Sequence, residues 1–143
     1  MPAADSFIDT NILLYAISTE PSEAAKTAIA RQLLTTENWG WSAQVAAEFV
    51  NASTAKRRPK PLTLVEAEQW IDTWLPFPLA PVDGPLVKDA VGVAQRYQIS
   101  YFDAQIVAAA KRLGCATLYS EDLNHGQVYD GVRVINPFVG PSP

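Results

Sequence analysis

One cysteine, Cys115, and one histidine, His125, are all the chain holds of two residue types that often carry chemistry. A lone cysteine forms no internal disulfide, and Leu113-Gly114-Cys115-Ala116 reads as the setting of a small buried thiol. A lone histidine excludes a paired-histidine acid–base site. No apolar run approaches the roughly 20 residues needed to cross a bilayer. The opening Met1-Pro2-Ala3-Ala4-Asp5 lacks the basic and apolar regions of a signal peptide. Charge is sparse at 18%, and the net value of −4 argues against a protein that coats nucleic acid electrostatically. Repeats, low-complexity tracts and linkers are also missing. The expectation is one soluble cytoplasmic domain over residues 1–143, with a core from about 6 to 138 and no membrane contact.

What is present is apolar and alternating. Hydrophobic residues make up 48% of 143, enough for a core without disulfides or a structural metal. Ser6-Phe7-Ile8 predicts a short strand, and Asn11–Ala16 a helix. Ser22 is placed to cap a second helix with Ala25, Ile29, Leu33 and Leu34 at helical spacing. Trp39-Gly40-Trp41 predicts a strand. Ser42 caps a helix bearing Val45, Phe49 and Ala52 and ending in the basic run Lys56-Arg57-Arg58. Thr63 caps another, with Leu64, Ala67, Ile71, Trp74 and Leu75 facing inward. Leu79–Val82 predicts a strand limited by Pro81. A helix from Pro85 or Leu86 to Tyr97 follows. Ser100 then caps a helix with Phe102, Ile106, Val107, Ala110 and Leu113 on its buried side, stopped at Gly114. Ala116–Tyr119 and Val132–Ile135 predict the last strands. Strands alternating with helices point to an α/β sandwich with a mostly parallel sheet.

Four acids occupy positions where a carboxylate needs a reason: Asp9, Glu48, Asp103 and Asp122. Asp9 follows the first strand, and Asp122 follows the Ala116–Tyr119 strand after two residues. Ligand sites in such sheets lie beyond the carboxyl ends of the strands, so these two should share one end. Glu48 projects from the apolar side of its helix, between Val45 and Ala52. Taking a carboxylate from water costs several kcal/mol unless it is paired or metal-bound. Each acid also has a local explanation. Asp9 can cap a helix, Ser100 and Asp103 form a capping-box variant, and Asp122 lies in a turn-rich stretch. Gathered together, they would make a cup of oxygen ligands for a hard divalent cation, which usually means phosphate chemistry. Asn11 and Ser120 stand ready to orient them.

Asp9-Thr10-Asn11, the mid-helix Glu48, Tyr101-Phe102-Asp103-Ala104 and Ser120-Glu121-Asp122 resemble the ordered acids of PIN-domain ribonucleases. The resemblance is closest to VapC-type toxins of toxin–antitoxin pairs, and it extends into Gly131–Phe138. It implies a PIN-like α/β/α sandwich and an endoribonuclease that uses Mg²⁺ or Mn²⁺ to hydrolyse RNA and leave a 5′-phosphate. Asp9, Glu48, Asp103 and Asp122 would be the catalytic and metal-binding acids, with Asn11 and Ser120 supporting. It also implies a cognate antitoxin and a homodimer. Many relatives carry an aromatic residue where this chain has His125, which otherwise reads as a loop residue bonded to backbone.

Lys56, Arg57 and Arg58 offer either a solvated helix end or a grip on RNA phosphates. Trp39, Trp41, Trp70 and Trp74 read mainly as core, and any at the surface is an anchor for a partner. Two other functions fit the same residues less well. One is a non-catalytic interaction module on the same fold. The other is a phosphohydrolase with Asp9 as nucleophile, which commonly needs a second Asp where this chain has Asn11.

Overall fold

The computed structural model describes residues 3–139. Six strands, β1 (Ser6–Ile8), β2 (Trp39–Ser42), β3 (Leu79–Ala80), β4 (Thr117–Tyr119), β5 (Val128–Tyr129) and β6 (Val132–Ile135), form one sheet in the order β3-β2-β1-β4-β6-β5. Every pairing is parallel except β5 with β6. The helices are α1 (Thr10–Ala16), α2 (Ala24–Thr36), α3 (Ala43–Ser53), α4 (Leu64–Trp74), α5 (Gly84–Tyr97) and α6 (Tyr101–Arg112). From β1 the chain steps outward to β2 and β3, then crosses back to β4. Right-handed crossovers therefore put α1–α4 on one face of the sheet and α5–α6 on the other. The predicted sandwich is observed.

Local chemistry explains most element ends. Asp9, Ser42, Thr63, Asp83 and Ser100 each accept a backbone N–H at a helix start, and Thr63 with Glu66 completes a reciprocal capping box. Ser22 does not cap α2. It lies in a 3₁₀ turn over Pro21–Glu23, where Pro21 sets the first turn and Ser18 bonds Glu23 at 2.6 Å. β3 stops at Ala80 because Pro81 has no N–H to offer a ladder. β5, which the sequence pattern did not predict, is a two-residue strand that turns into β6 through Asp130 and Gly131, both at positive φ.

The core runs through both layers. Phe7, Ile8, Trp39, Trp41, Leu118 and Val134 come from strands, Ile12, Leu13, Phe49 and Leu86 from helices, and all are fully buried. Each such side chain contributes about 1.5–3 kcal/mol by leaving water. Helix α6 is buried at every position from Ala104 to Ala110, and its four alanines let it lie close to the sheet. Three expected inward positions are open instead. Leu64 is 69% exposed, Leu75 52% and Phe102 63%. The first two sit at the ends of α4, where only Ala67 and Trp74 are fully covered. Trp39, Trp41 and Trp74 are buried, whereas Trp70 is exposed and stacks on Trp74 at 5.3 Å. Among the described residues, no helix is long and apolar enough to cross a membrane.

Candidate active site

β1 and β4 lie side by side, with Ile8 in register with Tyr119, and the strands that pair with them next, β2 and β6, lie on opposite sides of the pair. A crevice opens at such a reversal, beyond the carboxyl ends of the strands. Asp9 lies at the end of β1, tied by its N–H to the Tyr119 carbonyl at 3.1 Å. Ser120 and Asp122 follow β4. Helix α3 brings Glu48 and the first turn of α6 brings Asp103. All four acids line one cleft of about 300 Å³, together with Thr10, Asn11, Gln44 and Phe102.

Asp9 is the buried member, 7% exposed. Its Oδ1 accepts the Thr10 N–H at 2.7 Å, and its Oδ2 accepts the Ser120 hydroxyl at 2.7 Å. Burial pushes its carboxyl from 3.8 up to about 6; the two hydrogen bonds pull it down, and the charges of Asp122 and Glu48 raise it further. Ser120, itself fully buried, also accepts the Asp122 N–H at 3.1 Å. Asn11 Nδ2 donates to Asp122 Oδ2 at 3.1 Å and reaches Ser120 Oγ at 3.4 Å. Its carbonyl accepts the Glu121 N–H at 3.3 Å. Asn11 and Ser120 therefore knit the two strand ends together.

Glu48 does not point into the interior. It is exposed and reaches the cleft, where Thr10 Oγ1 donates to Oε1 at 2.9 Å and Gln44 Nε2 approaches Oε2 at 3.4 Å. Asp103 accounts for only half of the expected capping box. Its N–H bonds Ser100 Oγ at 3.3 Å, but no bond returns from its carboxylate, which stays available to the cleft. Glu121 is drawn away by Tyr15 OH at 2.7 Å and Lys26 Nζ at 3.0 Å. His125 Nδ1 accepts the Asn136 N–H at 2.9 Å, a backbone contact in the loop.

Sequence reasoning missed a buried chain of polar groups behind the acids. Tyr101 OH donates to Gln105 Oε1 at 2.6 Å, and Gln105 Nε2 donates to Gln44 Oε1 at 2.7 Å. Gln44 Nε2 then serves the Phe102 carbonyl at 3.2 Å as well as Glu48. The available signal was a glutamine on the core side of each helix, four residues before Glu48 and two after Asp103. A buried amide must be satisfied, and these satisfy one another.

The basic run lies beyond α3, which ends at Ser53. Lys56 and Arg57 are exposed, while Arg58 lines a smaller hollow with Asn11, Tyr15 and Glu121 beside the acid cleft.

The donor set suits a hard cation. Four carboxylates share one cleft, and among the described residues none of them pairs with a lysine or arginine. No three of the described acids, histidines or cysteines converge as a ready-made ligand set. Mg²⁺ does not require one, since it is usually held by one or two carboxylates and keeps several waters.

The family model of the PIN domain matches residues 6–131, and the chain belongs to that family. Solved structures share the fold. VapC20 of Mycobacterium tuberculosis, described as a sarcin–ricin loop cleaving toxin, superposes with a TM-score of 0.65 at 19% identity, covering 82% of this chain and 90% of its own. A toxin–antitoxin complex from Klebsiella pneumoniae gives 0.67 at 20%, covering 94% and 98%. FitAcB from Neisseria gonorrhoeae gives 0.65 at 20%, covering 92% and 97%. No curated protein matches the sequence.

Proposed function

We propose that this protein is a metal-dependent endoribonuclease, the toxin of a toxin–antitoxin pair, acting in the cytoplasm as one PIN-like domain over residues 1–143 with its core from about 6 to 138. The observation that carries the reading is that Asp9, Glu48, Asp103 and Asp122 line one cleft, with no basic side chain among the described residues paired to them. Family membership and likeness to solved toxins support it.

Asp9 and Asp103 would hold a Mg²⁺ or Mn²⁺ ion most directly, with Glu48 and Asp122 completing the set. The chemistry such an ion supplies is activation of water and neutralisation of charge on the phosphate. The chain's own part is orientation. Ser120 and the Thr10 N–H keep Asp9 in one rotamer, Asn11 holds Asp122, and Thr10 Oγ1 holds Glu48. Such preorganisation removes the need to gather like charges at the moment of reaction. Lys56, Arg57 and Arg58, on the loop beside the cleft, would take RNA phosphates.

The proposed protein partners are an antitoxin and a second copy of the chain. The Klebsiella pneumoniae neighbour was solved as a toxin–antitoxin complex, and α4 of this chain offers Leu64, Val65 and Trp70 at the surface. The test of the activity is purified wild type against Asp9→Asn on a sarcin–ricin loop oligonucleotide and a set of transfer RNAs, with Mg²⁺, Mn²⁺ or EDTA. Wild type should cut at least one RNA and leave a 5′-phosphate, and both EDTA and the substitution should stop it. Absence of cleavage, or cleavage indifferent to EDTA and to Asp9→Asn, would overturn the reading.

A further inference from the structure

Phe102 occupies an unexpected place. Helical spacing assigns it to the core, yet it is 63% exposed and lines the acid cleft next to Asp103 in the chain. An aromatic ring left mostly in water beside a row of carboxylates gains little of the stability that burial would give it. The surroundings also hold it still. The Tyr101 ring meets it edge-on, with centroids 5.3 Å apart and planes at 75°. Its carbonyl accepts the Gln44 amide at 3.2 Å, and Gln44 is itself buried and gripped by Gln105 at 2.7 Å. Tyr101, whose ring supports Phe102, anchors its hydroxyl on the same Gln105 at 2.6 Å. One buried relay therefore fixes the backbone of Phe102, the ring that props it, and Glu48.

We propose that Phe102 is a stacking platform for a nucleobase of single-stranded RNA, the base next to the phosphate held at the acids. The inference rests on the nuclease reading above and deepens it by naming how substrate is positioned. Sequence-specific proteins commonly splay unpaired bases onto aromatic side chains, because paired bases in A-form RNA expose no face. A phenyl ring stacks on any base, so the platform selects an unpaired nucleotide at the cut and not a particular letter. Its attachment through Gln44 to Glu48 sets the base and the reacting phosphate in one frame. Phe102 is a positioning residue in this scheme, and no proton passes through it.

The experiment uses an RNA that the wild type cleaves, shortened to a single-stranded oligonucleotide, and a series in which each base flanking the cut is replaced in turn by an abasic site. Phe102→Leu keeps the volume apolar and removes the ring. Because the position is exposed, its thermal midpoint should match that of wild type. KM should rise roughly 5- to 100-fold, with kcat little changed, and Phe102→Trp should restore it. One abasic position should raise the wild-type KM comparably and have no further effect on Phe102→Leu. A KM unchanged in Phe102→Leu would overturn the proposal and give the ring to a protein partner. So would a loss confined to kcat, or abasic penalties that simply add to that of the substitution. If wild type cuts no RNA at all, the nuclease reading falls and the platform with it. If it cuts while Phe102→Leu is indistinguishable, only the platform falls.

Discussion

Replacing Asp9 with asparagine should stabilise the metal-free protein at neutral and alkaline pH, although it should abolish activity. The reason lies in where the carboxylate sits. Its pKa is raised from 3.8 to about 6, with burial as the main cause and the charges of Asp122 and Glu48 adding to it. A group with a raised pKa binds more protons folded than unfolded between those values. Stability contributed by neutral Asp9 is thus present below about 3.8 and lost as pH climbs through about 6. A shift of about two units corresponds to about 3 kcal/mol. Asparagine carries no charge to desolvate and keeps a carbonyl for the Thr10 N–H. Its amide must face Ser120 Oγ, which has to turn and accept, at a cost of about 1 kcal/mol. The net expectation is a variant more stable than wild type by about 2 kcal/mol near pH 8, and no more stable near pH 4.

Urea titrations across that range in EDTA read the difference directly. Added Mn²⁺ should reverse the order, since a ligand at 100 times its Kd adds about 2.7 kcal/mol to the protein that binds it. Stability curves that run parallel for the two proteins from about pH 4 to about pH 8 would refute burial as the cause. A variant less stable than wild type near pH 8 in EDTA would do the same.

Three further outcomes follow from other parts of the molecule. Gln105→Leu should cost about 1–3 kcal/mol in urea unfolding, because Tyr101 OH and Gln44 Oε1 both lose their partner inside the protein. Its kcat should also fall as Gln44, freed from Gln105, no longer steadies Glu48, and a variant of wild-type kcat would show the relay to be structural only. Gly40→Ala should destabilise by about 1–3 kcal/mol. A Cβ there would stand 2.8 Å from Leu113 Cδ1, 3.0 Å from the Pro78 carbonyl and 3.1 Å from Ala4 Cβ. An alanine variant with an unchanged urea midpoint would contradict that packing. The Cys115 thiol, pushed up to about 12 by burial and then by the Asp5 charge, should resist maleimide until urea opens the fold. Fast labelling of the native protein at about pH 8 would contradict it.

Much of the site was legible in sequence because its signals were local. Asp9 and Asp122 could be assigned to one sheet end from the strands they follow, since in a parallel sheet every strand points the same way. Ser42, Thr63 and Ser100 announced their helices by the hydrogen bond each side chain makes. Phe102 was misplaced because helical periodicity assumes one partner surface along a whole helix. The first turn of α6 overhangs the cleft while its later turns lie on the sheet. Ser22 was misplaced because a proline before it began a 3₁₀ turn.

The order of the longer strands and helices, the caps at Ser42, Thr63 and Ser100 and the inventory of acids are properties of neighbours along the chain, and sequence alone determined them. Tertiary structure decided which acid loses its water, which glutamine meets which across 61 positions, and which aromatic ring stands open at the cleft. Burial and hydrogen-bond partners belong to the assembled molecule. They arise from groups that only folding brings within reach, and the proton affinity of Asp9 is set by the same assembly.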